Sequence, residues 1–112
     1  MDTLEQLKEE VLATVDNWND ADGDYERLNE LLENSLDLVF MISSKGEFRG
    51  YELTVTLGGP NVYIRQEVGA WGARVIGFSW GESFSETLTP EVSGFLWDTI
   101  FEIWESGKGE IL

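Results

Sequence analysis

The fold is decided by residues 36–57, LDLVFMISSKGEFRGYELTVTL, where the spacing of the apolar residues changes from helical to alternating. Every second residue is apolar from 36 to 42 and again from 51 to 57. This period of two is typical of strands that bury one face. Between the two runs, residues 44–46 have the composition of a tight turn. The stretch therefore predicts an antiparallel hairpin whose second strand covers about residues 47–57.

Two further strands are predicted after this hairpin. The turn signal Gly58-Gly59-Pro60 leads into a short third strand from Asn61 to Gln66. A fourth strand is predicted from about Trp71 to Trp80. Since eight of the 12 glycines lie within residues 46–81, we expect tight hairpins that join the strands into an antiparallel meander.

Helices are predicted on both sides of the strands. The first covers about residues 3–19, and the second covers about residues 24–34. The connection between them is short, which favours an antiparallel helical hairpin. A third helix begins at Thr89-Pro90-Glu91, with a hydroxyl cap followed by proline, and ends near Ser106. Residues 1–112 are thus predicted to form one α+β domain with the order ααββββα, in which the last helix packs on a four-stranded sheet.

The apolar faces of these elements define a predicted core. The last helix has more aromatic residues than one sheet face can cover, so it is either sandwiched between the sheet and the N-terminal hairpin or left with an exposed aromatic edge. The sandwich is the favoured arrangement because Trp18 and Tyr25 need partners. The residues predicted to form the core are Leu4, Leu7, Val11, Val15, Leu28, Leu31, Leu38, Phe40, Leu53, Val55, Phe95, Leu96, Ile100 and Ile103.

The formal net charge of −15 is divided unevenly along the chain. Residues 1–37 have a net charge of −10, residues 38–81 a net charge of +1, and residues 82–112 a net charge of −6. Acidic helices therefore flank a nearly neutral sheet. Such a field repels nucleic acid and membrane surfaces and attracts basic proteins.

The composition argues against an enzyme. The chain has no Cys and no His, so it has no thiol nucleophile, no imidazole base and none of the usual zinc ligands. We expect no cofactor and no metal site. The loop Asp20-Ala21-Asp22-Gly23-Asp24 resembles a calcium loop, but alignment on Gly23 puts Trp18 and Asn29 at the terminal ligand positions. A helix–helix turn, with Asp22 or Asp24 as the cap, is the favoured interpretation.

Localisation is predicted from what the sequence lacks. The N-terminus is acidic and has no signal-peptide pattern, and no apolar run approaches the roughly 20 residues that a membrane-spanning helix needs. We expect a cytoplasmic protein.

The helix acids form rows that suggest a binding surface. On each helix they lie within one arc opposite the apolar stripe, about one turn apart, a spacing close to that of phosphates along a nucleic-acid strand. Any amphipathic helix exposes its charged residues, which explains why these acids are on the surface. It does not explain why they are nearly all negative, because acids paired with Lys four residues away would stabilise the helix more than rows of acids that repel one another. The residues expected to contact a partner are Glu5, Glu9, Asp16, Asp20, Asp22, Asp24, Glu26, Glu30 and Glu33.

One short segment resembles a known group of proteins. Gly58-Gly59-Pro60-Asn61-Val62-Tyr63-Ile64, followed by Trp71-Gly72, is similar to a signature of small, acidic, uncharacterised proteins of phages and mobile elements. The resemblance implies a context, since such proteins often counter host defence systems. It implies no functional residues.

Charge and context together predict a non-enzymatic inhibitor. Its expected partner is a basic, nucleic-acid-handling host protein, such as a restriction or CRISPR effector, which it would bind by phosphate mimicry. The alternative is an immunity or antitoxin protein that masks a basic toxin. A homodimer through exposed aromatic residues is also expected.

Overall fold

The computed structural model describes residues 3–107 and shows an α+β fold in which one antiparallel sheet has the strand order β1-β2-β3-β4-β5. Each strand is hydrogen-bonded to its neighbour in the sequence, as expected for a meander. The helices are α1 (Thr3–Asn19), α2 (Tyr25–Glu33) and α3 (Pro90–Gly107). The strands are β1 (Asp37–Ile42), β2 (Phe48–Thr56), β3 (Asn61–Glu67), β4 (Arg74–Ser79) and β5 (Glu82–Thr87).

The prediction of four strands was wrong, because β5 is a fifth strand between β4 and α3. Its sequence, ESFSET, contains a single apolar residue, Phe84, and therefore lacks the alternation that indicates a half-buried strand. β5 forms by pairing with β4 in a two-residue hairpin, with Ser79 opposite Glu82. The predicted fourth strand was also too long, since both Trp71 and Trp80 lie outside β4.

The helices cover one face of the sheet. The inner face carries Tyr51 and Leu53 of β2, which lie opposite Gln66 and Ile64 of β3. At Gly77 of β4, an added Cβ atom would lie 2.6 Å from side-chain atoms of Leu7 and Val11. α1 therefore approaches the backbone of β4 closely, and its main contacts are with β4 and β5.

α3 crosses β2 on the same face, and α2 lies beside α3. The rings of Tyr25 and Phe95 are 6.0 Å apart, and Leu32 shares a groove with Ile103. α1 and α2 are joined by a turn in which Asp24 caps α2, its carboxylate accepting a hydrogen bond from the Arg27 backbone N–H at 3.1 Å. The two helices of the predicted N-terminal hairpin therefore pack against different elements, α1 mainly against the sheet and α2 against α3.

The prediction of the core was correct for most of its residues. Seven of them are buried, namely Leu7, Val11, Val15, Leu28, Leu53, Leu96 and Ile100. Six others are partly buried against this cluster, namely Leu4, Leu31, Leu38, Phe40, Val55 and Phe95. Ile103 was predicted wrongly, since it is 43% exposed on the side of α3 that the short α2 only partly covers.

An aromatic cluster joins α3 to the β1–β2 hairpin. The ring of Phe48 lies 5.1 Å from that of Trp97, and 5.5 Å from those of Phe101 and Trp104. Phe101 is nevertheless 38% exposed. α3 is thus flanked by α2 on one side and keeps a partly exposed aromatic edge on the other, so that both arrangements considered from the sequence hold in part.

Candidate protein-binding surfaces

The acidic surface is formed by the outward sides of α1 and α2 and by the turn between them. All nine acids predicted to contact a partner are exposed: Glu5, Glu9, Asp16, Asp20, Asp22, Asp24, Glu26, Glu30 and Glu33. Within residues 3–107, one of the nine forms an ion pair, Glu30 with Arg27 at 3.4 Å. Asp24 also has a structural task as the cap of α2. The carboxylates of the other eight acids are exposed to solvent and form no ion pair within residues 3–107.

These carboxylates are spread over the surface and do not converge on one point. The part of the chain that the structure describes contains no group of three or more Asp or Glu residues close enough to hold a metal ion. Exposed and separated carboxylates suit an extended electrostatic contact with another macromolecule.

The phenol of Tyr51 has a displaced pKa. Its phenol is buried in the core, and the loss of hydration raises its pKa far above the ordinary value because the phenolate cannot be solvated there. The hydroxyl donates a hydrogen bond of 2.8 Å to the Gln66 side-chain oxygen, which is also buried. This buried pair joins β2 to β3 inside the core, which is a structural contact.

We expect Tyr51→Phe to lower the free energy of unfolding by about 1–3 kcal/mol near pH 8, because the buried Gln66 oxygen would lose its donor. The folded-state pKa of Tyr51 lies above the unfolded value of about 10, so its contribution is complete below that pH and is lost as the pH rises. The difference in the free energy of unfolding between the wild type and the variant should therefore decrease by up to about 1.4 kcal/mol per pH unit above roughly pH 10. Urea unfolding of both proteins at pH 8 and pH 11 measures this difference. A difference that does not change with pH would contradict the burial of the phenol.

The outer face of the sheet is a second, different surface. Arg65 lies opposite both Glu52 and Arg74 in the strand register. Its guanidinium is 3.6 Å from the carboxylate of Glu52 and 2.7 Å from that of Glu67. Arg74 donates a hydrogen bond to the Ser85 hydroxyl. Charges of both signs are therefore present on this face, whereas the helix surfaces are strongly acidic.

Two tryptophans are almost completely exposed at the ends of β4. Trp71 is 99% exposed in the turn before this strand, and Trp80 is 91% exposed in the turn after it. From the sequence, both were predicted to lie within the fourth strand, among the aromatic residues expected to supply a protein-binding or dimer surface, whereas the structure places them in the turns outside β4. The signal that was available is Trp80-Gly81, because a residue followed by glycine between two extended segments is typical of a two-residue hairpin loop.

The turn from Gly58 to Asn61 lies next to this hairpin loop. The Asn61 side-chain oxygen accepts a hydrogen bond of 3.0 Å from the Gly58 backbone N–H, and Pro60 is buried. Asn61 and Pro60 of this segment thus stabilise the turn itself. A concavity of about 410 Å³ lies between the two turns and is lined by Gly58, Gly59, Asn61, Phe78, Ser79, Trp80, Gly81, Glu82 and Ser83.

Comparison with known proteins identifies no relative. No family model matches the chain, and neither a curated protein nor a solved structure matches it. Among the described residues, no helix has both the length and the apolar character needed to cross a bilayer.

Proposed function

We propose that this chain is a non-enzymatic binding protein of a phage or mobile element that inhibits a basic, nucleic-acid-handling host protein of the restriction or CRISPR type. The observation that carries the proposal is the exposure of all nine acids of α1, α2 and their connecting turn. In this proposal the acidic surface occupies a Lys/Arg groove of the partner and competes there with nucleic-acid phosphate.

The arrangement of charge supports this choice over a surface that is acidic only for solubility. The helices lie on one side of the sheet, and residues 38–81, which form most of that sheet, have a net charge of +1. The field is therefore directional, and a basic partner is attracted to the helix side. Directional fields of this kind accelerate association and select partners of opposite charge.

The same charges should oppose folding at low ionic strength. We expect the melting temperature to be higher in 0.5 M than in 0.01 M sodium chloride, because the Debye length falls from about 30 Å to a few ångström and the repulsion between the helices is screened. Thermal unfolding followed by circular dichroism measures this. A melting temperature that does not change with salt would show that the acids are too well separated to repel one another.

Charge reversal on α2 tests the proposed function. The immobilised chain first captures partners from a bacterial lysate. The affinity of the captured partner for the chain is then measured at several salt concentrations, with and without duplex DNA. We expect a basic partner that duplex DNA releases from the chain by competition. Its affinity for the chain should fall steeply as the salt concentration rises. The double variant Glu26→Lys/Glu33→Lys should weaken binding at least about tenfold, since each close charge pair contributes on the order of 1 kcal/mol or more. Glu30 is left unchanged because it pairs with Arg27.

The matched control is Glu47→Lys/Glu86→Lys. It changes the net charge by the same amount at two exposed acids, one in the β1–β2 turn and one on β5. If both double variants weaken binding equally, binding depends on the net charge of the chain and not on the surface of α2. If neither variant weakens binding, phosphate mimicry is the wrong mechanism. A captured partner that is a toxin rather than a nucleic-acid-handling host protein would favour the immunity alternative. The expected homodimer stays a prediction, which sedimentation of the chain alone would test.

A further inference from the structure

We infer that the concavity between the Gly58–Asn61 turn and the Trp80-Gly81 loop binds an arginine side chain of a protein partner. The inference rests on the proposed function for its basic partner, but it concerns a different surface, at one end of the sheet rather than on the acidic helices. Three observations support it, namely a strained residue, its exposure, and the charge beside it.

The first observation is the backbone of Trp80. Ser79 pairs with Glu82, so Trp80 and Gly81 form a two-residue hairpin loop. Their φ angles are 51° and 80°, and both therefore lie in the left-handed region. Loops of this type strongly prefer Asn-Gly or Asp-Gly, and a bulky residue at the first position is strained. A tryptophan that holds an unfavourable backbone conformation points to a function, because strain of this kind concentrates at binding sites.

The second observation is that the strain does not serve packing. Trp80 is 91% exposed and thus contributes almost nothing to the core. Its neighbour in the concavity, Phe78, is 48% exposed, and the ring of Phe78 contacts that of Tyr63 with their centroids 6.0 Å apart. The loop therefore presents a tryptophan beside a supported aromatic pair. Tryptophan is among the residues most enriched where binding energy is concentrated.

The third observation is the polar lining. Glu82 follows the loop directly, is exposed and lines the concavity, together with the Asn61 side chain. No cationic residue is among those that line it. An aromatic face next to a carboxylate is suited to a guanidinium group, which stacks on the ring and forms charge-assisted hydrogen bonds to the carboxylate. Phosphate-bearing ligands are disfavoured by the net charge of −15.

The test uses a peptide with one arginine, Ac-Gly-Arg-Gly-NH2, and the same peptide with citrulline, which has nearly the same shape but no charge. Binding to the full chain in 0.15 M salt is followed in NMR spectra by the indole N–H resonances and by the backbone N–H resonances of Gly58, Gly59 and Gly81, which line the concavity and remain observable when Trp80 is replaced. We expect the arginine peptide to shift the Trp80 resonance with millimolar affinity, and the citrulline peptide to bind at least about fivefold more weakly. Glu82→Gln should weaken the arginine peptide about threefold or more.

Trp71 provides the matched control, since it is also almost completely exposed and lies at the other end of β4. Trp71→Ala should leave the peptide titration unchanged, whereas Trp80→Asn should abolish it. Asparagine suits the left-handed conformation, so we expect Trp80→Asn to fold with an equal or higher melting temperature. Equal binding of the citrulline peptide, equal binding of a disaccharide, or binding that survives Trp80→Asn would each overturn the inference.

The outcome is separable from that of the proposed function. If the arginine peptide does not bind near Trp80 while the α2 charge reversal still weakens the partner, this inference fails and the proposed function stands. If the charge reversal has no effect while the arginine peptide still binds near Trp80, the proposed function fails and the arginine site stands.

Discussion

Leu96→Ala is expected to lower the free energy of unfolding by about 2–5 kcal/mol, the largest effect of any single truncation proposed for this chain. Leu96 is completely buried in α3, among the residues that join this helix to the sheet. The substitution removes buried methyl groups and leaves a cavity that packed neighbours cannot fill. Urea unfolding followed by tryptophan fluorescence measures the change. For a chain of 112 residues, a loss of this size is a large part of the total stability.

Leu12→Ala is the matched control for this prediction. Leu12 lies in a helix as well, but it is 41% exposed and lies outside the core cluster. The same substitution should therefore cost no more than about 1 kcal/mol. Equal effects at the two positions would contradict the packing of α3 on β2.

Gly50→Ala is expected to be comparably destabilising, by about 2–5 kcal/mol, for a reason that involves the backbone. Gly50 has a φ of 153°, and the position lies next to a bulge in the pairing of β1 with β2. A Cβ atom at this position would overlap the backbone carbonyl oxygen of Gln66 in β3. Since that atom belongs to a central strand, relief requires a shift of β2 against β3 and disturbs the nearby Tyr51–Gln66 hydrogen bond.

Gly94→Ala provides a control of opposite sign. Gly94 lies within α3, and an added Cβ atom would meet nothing within 4 Å. Alanine is the better helix former by about 0.8–1 kcal/mol, so this variant should be more stable than the wild type. Thermal unfolding of the two variants, measured side by side, compares the predictions. A stable Gly50→Ala variant would contradict the close approach of β2 and β3.

The helices were predictable because their signals are local. The stripe of α1 and the Thr89-Pro90 start of α3 lie within a few residues of the structure that they specify, and the observed bounds, Thr3–Asn19 and Pro90–Gly107, agree closely with the prediction. Helical hydrogen bonds join residues four apart, so the pattern and the element coincide. The exposure of the nine acids could be predicted for the same reason, because six of them lie opposite an apolar stripe and the other three, Asp20, Asp22 and Asp24, lie in the turn between α1 and α2.

The edge strand β5 was not predictable in this way. Its single apolar residue, Phe84, lies opposite Gly77, and the strand exists because β4 offers hydrogen-bonding groups and α1 covers the inner face. Pairing of this kind depends on distant parts of the chain and leaves no alternating pattern in ESFSET. The missed strand then led to the wrong placement of Trp80, which the sequence alone assigned to the end of a longer β4.

The helices, the first three strands and the separation of acidic helices from a nearly neutral sheet could be predicted without the structure, since periodicity and charge can be observed along one chain. The tertiary structure was needed to place Trp71 and Trp80 in exposed turns and to bring the Gly58–Asn61 turn next to the Trp80-Gly81 loop. These features depend on which strands become neighbours and in which register. That choice follows from the packing of the whole core, which no local stretch of sequence contains.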